Sequence, residues 1–271
     1  MNPFQADEVL PVHSPFNLLV RNSRGNGPAD WLRQFEENYS PASYALVTYY
    51  EDEGGNPGLF NGIASPDRVS TLKVTNDEWG YGVIPNVFNE FGGNNDHPWL
   101  IVSPSVEILP EHVQLAYEKL NQGYDGVSFY VPEHGNDGSG PGKMGYNTVM
   151  FWSARAARII GGIEPELVRL CENGGAGTKT YTGEDGSSLE IPFGGGEETI
   201  YVCKVASVIP QVKFAHCVSL PVSMKTKGRA TGTYFEVGFD AKLWRKVPSA
   251  LAYLDKLRVS VKKFMSHWDL V

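Results

Sequence analysis

Short apolar segments rich in β-branched and aromatic residues recur along the chain, each closed by a glycine-rich or charged turn. This punctuation constrains the fold more than any other feature. Tyr44–Tyr50 runs into Glu51-Asp52-Glu53-Gly54-Gly55, and comparable strand patterns stand at Val69–Val74, Trp99–Ser103, Gly126–Val131 and Tyr146–Trp152. Beyond Thr178 the alternation strengthens, with strands expected at Thr178–Thr182, Ser188–Pro192, Thr199–Ile209, Val212–Val222 and Thr233–Phe239. Thirty glycines and 12% aromatic residues agree with a turn-rich, strand-rich protein, and exclude collagen, coiled coil and disulfide scaffold.

Helices are expected where the apolar period lengthens. Asp30–Glu37 places Trp31, Leu32 and Phe35 on one face, with Asp30 as cap. Pro110–Leu120 begins on proline, repeats Val113, Tyr117 and Leu120 at helical spacing, and meets Gly123 beyond its end. Ser153–Ile160 stops at Gly161-Gly162, and Pro165–Glu172 reads as a further turn or two. A long amphipathic helix is expected over Pro248–Met265, with Leu251, Leu254, Leu257, Val261 and Phe264 as its core stripe. The fold class these elements suggest is α+β, antiparallel sheets with packed helices and a long C-terminal helix.

Charge is distributed unevenly. The whole chain carries 23 basic and 31 acidic residues, a net of −8, yet residues 1–140 hold 6 basic against 19 acidic. Residues 199–271 reverse this with 12 basic and 4 acidic. The glycine-rich stretch 133–145 coincides with the switch. It divides an acidic α+β region, 1–140, from a basic sheet-plus-helix region, 141–271, or joins them within one continuous domain. Non-specific polyanion binding follows local positive field rather than whole-chain charge, so the basic segment points to a polyanionic partner.

Within that segment, Ser223–Phe235 alternates Lys225, Lys227 and Arg229 with small residues and glycines, and ends in Tyr234 and Phe235. Cationic tracks joined to aromatic platforms are the recurring chemistry of single-strand binding, stacking contributing about 1–3 kcal/mol per base. Lys204, Lys213, Trp244, Arg245 and Lys246 extend the track. A hairpin with solvated lysines uses the same residues.

Catalytic and metal signatures are weak. His13, His97, His112, His134, His216 and His267 show no HxxxH or HExxH spacing. On a strand, the neighbours His216 and Cys217 point to opposite faces. Gly174–Thr180 lacks the phosphate-loop spacing, and Gly194-Gly195-Gly196 leads into Glu197 and Glu198, which would repel phosphate. Cys171, Cys203 and Cys217 are odd in number and read as reduced thiols. No cofactor, metal or membrane span is expected. The first residues show neither a basic region nor an apolar run, so a cytoplasmic location is expected.

The basic strands followed by a helix and the ending Lys262-Lys263-Phe264-Met265-Ser266-His267-Trp268 resemble the close of Whirly-type single-stranded nucleic-acid-binding proteins. Ser153–Gly161 would correspond to the helix between their sheets. The mixture of acidic and basic regions is also similar to phage-encoded single-strand-binding proteins. The resemblance implies two antiparallel sheets, DNA or RNA bound across the strands, and oligomerisation. The expected function is therefore non-catalytic binding of single-stranded DNA or RNA with little sequence preference. A virion structural or assembly protein is the alternative, and an enzyme acting on a nucleotide or polyanionic substrate comes third.

Overall fold

Phe16–Val20 is buried at every residue, as are Trp99–Val102, Gly126–Phe129, Val149–Trp152 and Phe214–Cys217. Strands with no solvent face must be covered on both sides, and that is the arrangement of the computed structural model. It describes residues 15–21, 27–51, 56–74, 83–92, 96–145, 148–164, 178–182, 188–192, 197–224 and 246–271.

Eight strands form one mixed sheet: β1 (Phe16–Val20), β2 (Tyr44–Glu51), β3 (Val69–Val74), β4 (Trp99–Val102), β5 (Gly126–Phe129), β6 (Val149–Trp152), β9 (Phe214–Cys217) and β10 (Trp268–Leu270). Their spatial order is β10-β9-β5-β6-β4-β1-β2-β3. Every neighbouring pair is parallel except β4–β6 and β6–β5. Two further strands, β7 (Thr178–Thr182) and β8 (Ser188–Pro192), pair antiparallel as a separate hairpin.

The seven described α-helices are α1 (Gly27–Phe35), α2 (Val83–Gly92), α3 (Pro110–Asn121), α4 (Ala154–Gly161), α5 (Glu198–Val208), α6 (Lys246–Lys256) and α7 (Val261–Met265). One face of the sheet packs Leu18, Leu100, Val127 and Phe151 against Trp31 and Phe35 of α1 and Val113 and Tyr117 of α3. The opposite face packs Leu19, Trp99, Trp152 and Phe214 against α2, α4, α5, α6 and α7. The chain is thus an α/β protein, which corrects the expectation of antiparallel sheets in a Whirly-like arrangement. The cause lies in the strand patterns, whose continuous apolar runs are those of parallel strands covered by crossover helices. The sheet also draws strands from both sides of residue 140, so the charge switch is no seam in the fold.

Three elements differ from their expected form. Thr199–Ile209 is helical: α5 lies between α4 and α6, with Ile200, Tyr201, Val202 and Val205 buried. A helix enclosed on several sides carries apolar residues around most of its circumference and loses the one-sided stripe that distinguishes it from a strand. Val212–Val222 contracts to β9. The long C-terminal helix is broken between α6 and α7. Arg258 adopts φ 55, Arg258 N–H donates to Asp255 O (3.0 Å), and Val259 N–H donates to Leu254 O (2.9 Å). This is a glycine-type helix end built on arginine. Ser260 then caps α7, its Oγ accepting from Lys263 N at 3.2 Å.

Helices α2 and α4 meet at Gly161, where an added Cβ would lie 2.9 Å from Asn89 N and 3.0 Å from the Phe88 carbonyl carbon. Both neighbours are backbone and cannot rotate away. Gly161→Ala is expected to lower stability by about 1–3 kcal/mol through overpacking, with an unchanged urea m-value. Wild-type stability in urea unfolding would show that the helices do not approach this closely.

Candidate functional site

A sheet whose faces are covered offers its polar backbone to a ligand only at strand ends. The order here reverses beside β1, with β2 and β3 added on one side and β4 on the other. The chain goes from β1 to β2 on one side and from β4 to β5 on the other, so the boundary between β1 and β4 is the point where the strand order switches. In open α/β sheets this is where ligands bind.

Arg21 is the first residue beyond β1, and its N–H donates to Val102 O at 2.9 Å, which fixes it beside the end of β4. Its side chain lies on the same face as Leu19 and is half-buried. Burial opposes the guanidinium charge, but the Tyr49 hydroxyl, Glu197 and Glu198 outweigh it and hold the group more firmly charged than usual. Tyr49 comes from β2 and is buried. Glu197 and Glu198 stand at the amino end of α5, where the helix dipole favours carboxylates. Lys246 Nζ approaches Glu198 Oε1 at 3.9 Å from the start of α6. Gly145 passes beside Glu198, since a Cβ there would lie 4.0 Å from the Glu198 Cβ. Two cations, two carboxylates and a phenol thus converge from β1, β2, α5 and α6.

On the β4 side the chain turns through Ser103-Pro104-Ser105, all half-buried. The two serine hydroxyls are 2.8 Å apart, and Ser103 N–H donates to Thr148 O at 2.8 Å. The Thr148 hydroxyl lies 3.3 Å from His134 Nδ1, which extends the polar edge to the turn after β5. The edge therefore presents a fixed cation, rotatable hydroxyls and an imidazole in sequence.

Of the expected site residues, Lys204, Lys213 and Lys246 lie among the described residues, and Lys246 belongs to the group at Glu198. Lys225, Lys227, Arg229, Tyr234, Phe235, Trp244 and Arg245 lie outside the described residues. Lys204 is on α5, and Lys213 precedes β9 at the amino end of the sheet, its carbonyl accepting from Asp125 N at 2.8 Å. Lys246 stands near the opposite, carboxyl edge against Glu198, so the structure does not bring Lys213 and Lys246 together. Arg21, Tyr49, Ser103 and Ser105 were not singled out in the sequence, and Glu197 and Glu198 were read as part of a turn. One signal pointed to the first of these. Gly25-Asn26-Gly27-Pro28-Ala29-Asp30, four residues after an apolar strand pattern and before a helical one, carries two of the three glycines of a nucleotide-binding turn, with Asp30 in place of the third.

Two other reactive residues are structural. Burial pushes the Cys217 thiol up to about 12. His216, fully buried on β9, has Ser128 Oγ at 2.7 Å from Nδ1 and Asn136 O at 2.6 Å from Nε2. Asn136 in turn accepts from Val131 N (2.7 Å) and donates to Phe129 O (2.9 Å), which ties down the loop after β5.

No protein-family model matches the chain, and no curated protein is found to match it.

Burial, only partly offset by the Asn136 carbonyl and the Asp137 charge, pulls the His216 imidazole below its ordinary value. Its unfolded form therefore binds a proton that the folded form resists, and stability is lost as pH falls below about 6.5. His267 shifts in the same direction through burial and the nearby Lys263. Melting temperature is expected to rise from pH 5 to 6.5 and then level off. His216→Asn should flatten that rise more than His267→Asn; equal slopes in all three proteins would remove the assignment.

Proposed function

We propose that this protein is a nucleotide-dependent enzyme that holds the diphosphate of an activated donor at the carboxyl ends of β1 and β4 and transfers the attached group to an acceptor. The observation that carries the reading is the reversal of strand order between β1 and β4 with Arg21 fixed at that point. A guanidinium is always charged and its planar fork suits phosphate oxygens. The parallel order β3-β2-β1 is that of a mononucleotide-binding half, with turns and a short 3-10 helix rather than an α-helix in the described part of the connection from β2 to β3. The loop after β5 and the residue that opens β6, with His134 and Thr148, form the wall for a second substrate.

Sugar nucleotides are the donors of first choice. Their leaving group is a nucleoside diphosphate, and the sequence has neither a complete dinucleotide fingerprint nor a triphosphate-cradling loop. In such a transfer the bond from the donor carbon to the diphosphate oxygen breaks, and the oxygen keeps the electron pair. The acceptor oxygen bonds to that carbon and gives its proton to a carboxylate, for which Glu197 and Glu198 stand at the same edge.

Thermal unfolding with UDP, GDP, CDP and ADP, in buffer containing Mg²⁺, tests the binding step. At a hundredfold excess over Kd, one of them should stabilise the protein by about 2.7 kcal/mol, and Arg21→Met should abolish that gain. Labelled single-stranded DNA and RNA belong in the same series. Salt-sensitive binding of either strand, with no response to any nucleotide, would overturn the enzymatic reading in favour of single-strand binding.

A further inference from the structure

We propose that the corner formed by α6 and α7 docks this protein on a bilayer surface that carries anionic lipid. The inference goes beyond the nucleotide reading and does not depend on it.

The break at Arg258 determines what the corner exposes. An unbroken helix over Pro248–Met265 would bury Leu251, Leu254, Leu257, Val261 and Phe264 as one stripe. In the structure Leu254 and Phe264 are buried, whereas Leu251 is 44% and Val261 42% exposed. Val259 N–H, bonded to Leu254 O, keeps the start of α7 beside the last turn of α6, so the two exposed aliphatics belong to one corner.

Arg258, Lys262 and Lys263 are exposed on either side of Val261 and enter no ion pair among the described residues. Several cations elsewhere are matched, Arg33 by Asp30, Arg68 by Glu36, Lys143 by Asp137 and Arg158 by Asp96. Exposed Lys213 joins the corner through backbone contacts: Phe214 N–H donates to His267 O at 2.7 Å, and His267 N–H to Phe264 O at 3.2 Å. The carboxylates of residues 246–271 are Asp255 and Asp269, and the second accepts from the Tyr124 hydroxyl at 2.7 Å. The four cations outnumber them.

Aliphatic side chains beside lysine and arginine suit the headgroup level of a bilayer, where the aliphatics enter the acyl boundary and the cations meet lipid phosphate. Single-strand binding depends instead on aromatic platforms. Tyr253, Phe264 and Trp268, the aromatics of these elements, are buried. The corner lies at the amino ends of β9 and β10, so docking leaves the carboxyl-end site open.

Co-sedimentation of the full chain tests the proposal, with vesicles of phosphatidylcholine alone and of phosphatidylcholine with phosphatidylserine. The mixed vesicles should bind the chain. Raising salt from about 0.1 to 1 M, which shortens the Debye length from about 10 to 3 Å, should weaken that binding. Lys262→Glu/Lys263→Glu should weaken it about tenfold or more. Leu251→Ser/Val261→Ser should weaken it with the salt dependence retained, and unchanged urea midpoints separate lost docking from lost folding. Equal binding to both vesicles, binding to neither, or wild-type binding by the lysine variant would overturn the inference. Displacement of the chain from the mixed vesicles by single-stranded DNA would assign the corner to a polymer and overturn it too. The wild-type comparison between vesicles does not depend on the variants folding, and none of these outcomes decides the nucleotide reading.

Discussion

Burial of β1 and β4 on both faces is the constraint from which the rest of the structure follows. Phe16, Leu18 and Val20 face one helical layer, while Leu19 and Trp99 face the other. With both faces closed, a ligand can reach the sheet only at its ends. At the amino ends, Asn17 N–H is bonded to Pro98 O and Asp125 N–H to Lys213 O, which consumes backbone donors there. The carboxyl ends differ: the chain leaving β1 carries a cation and that leaving β4 carries two hydroxyls. The position of the site is thus a consequence of two-sided packing, before any chemistry is considered.

The antiparallel β6 makes this sheet possible as one unit. It separates the parallel block β3-β2-β1-β4 from the parallel block β5-β9-β10 and pairs with both. Its junction with β5 is held by Asp125, whose fully buried carboxylate accepts from Arg155 Nη2 at 2.9 Å and from Ser153 Oγ at 3.0 Å. Ser153 also caps α4, accepting from Ala156 N at 3.1 Å. A buried carboxylate with this many donors escapes the penalty of an unpaired charge, and it fixes where β6 ends and α4 begins. Because β6 runs backwards, its first residues reach the carboxyl edge, where Thr148 meets Ser103 and His134.

Local structure was legible wherever one residue type decides it. Val69–Val74, Thr178–Thr182 and Ser188–Pro192 form strands with the expected bounds, and Ser153 and Pro110 open helices as their chemistry dictates. Strand direction was not legible. A run such as Trp99-Leu100-Ile101-Val102 is equally apolar whether its neighbour runs with it or against it, and only the crossover helices settle the matter. Helix α5 was hidden by its own burial, and the break at Arg258 by the absence of glycine. The site was obscured for a related reason: Arg21, Ser103 and Glu198 are far apart in sequence and gain meaning only from the strand order.

Net charge by segment describes composition, and most of the charges at the β1–β4 edge are of the minority sign in their half. Arg21 belongs to the acidic first half, in which cations are scarce, while Glu197 and Glu198 belong to the half with a basic excess. Folding brings these minority charges together. Two cations set against two carboxylates produce little long-range field, so they do not steer a polyanion from a distance. Arg21 does provide a cation of fixed orientation, which a small, doubly charged group can engage at short range. A long nucleic acid gains affinity from many weak phosphate contacts along a positive track. The charges at this strand edge are few, opposed and directional, and that distribution suits a diphosphate better than a polymer.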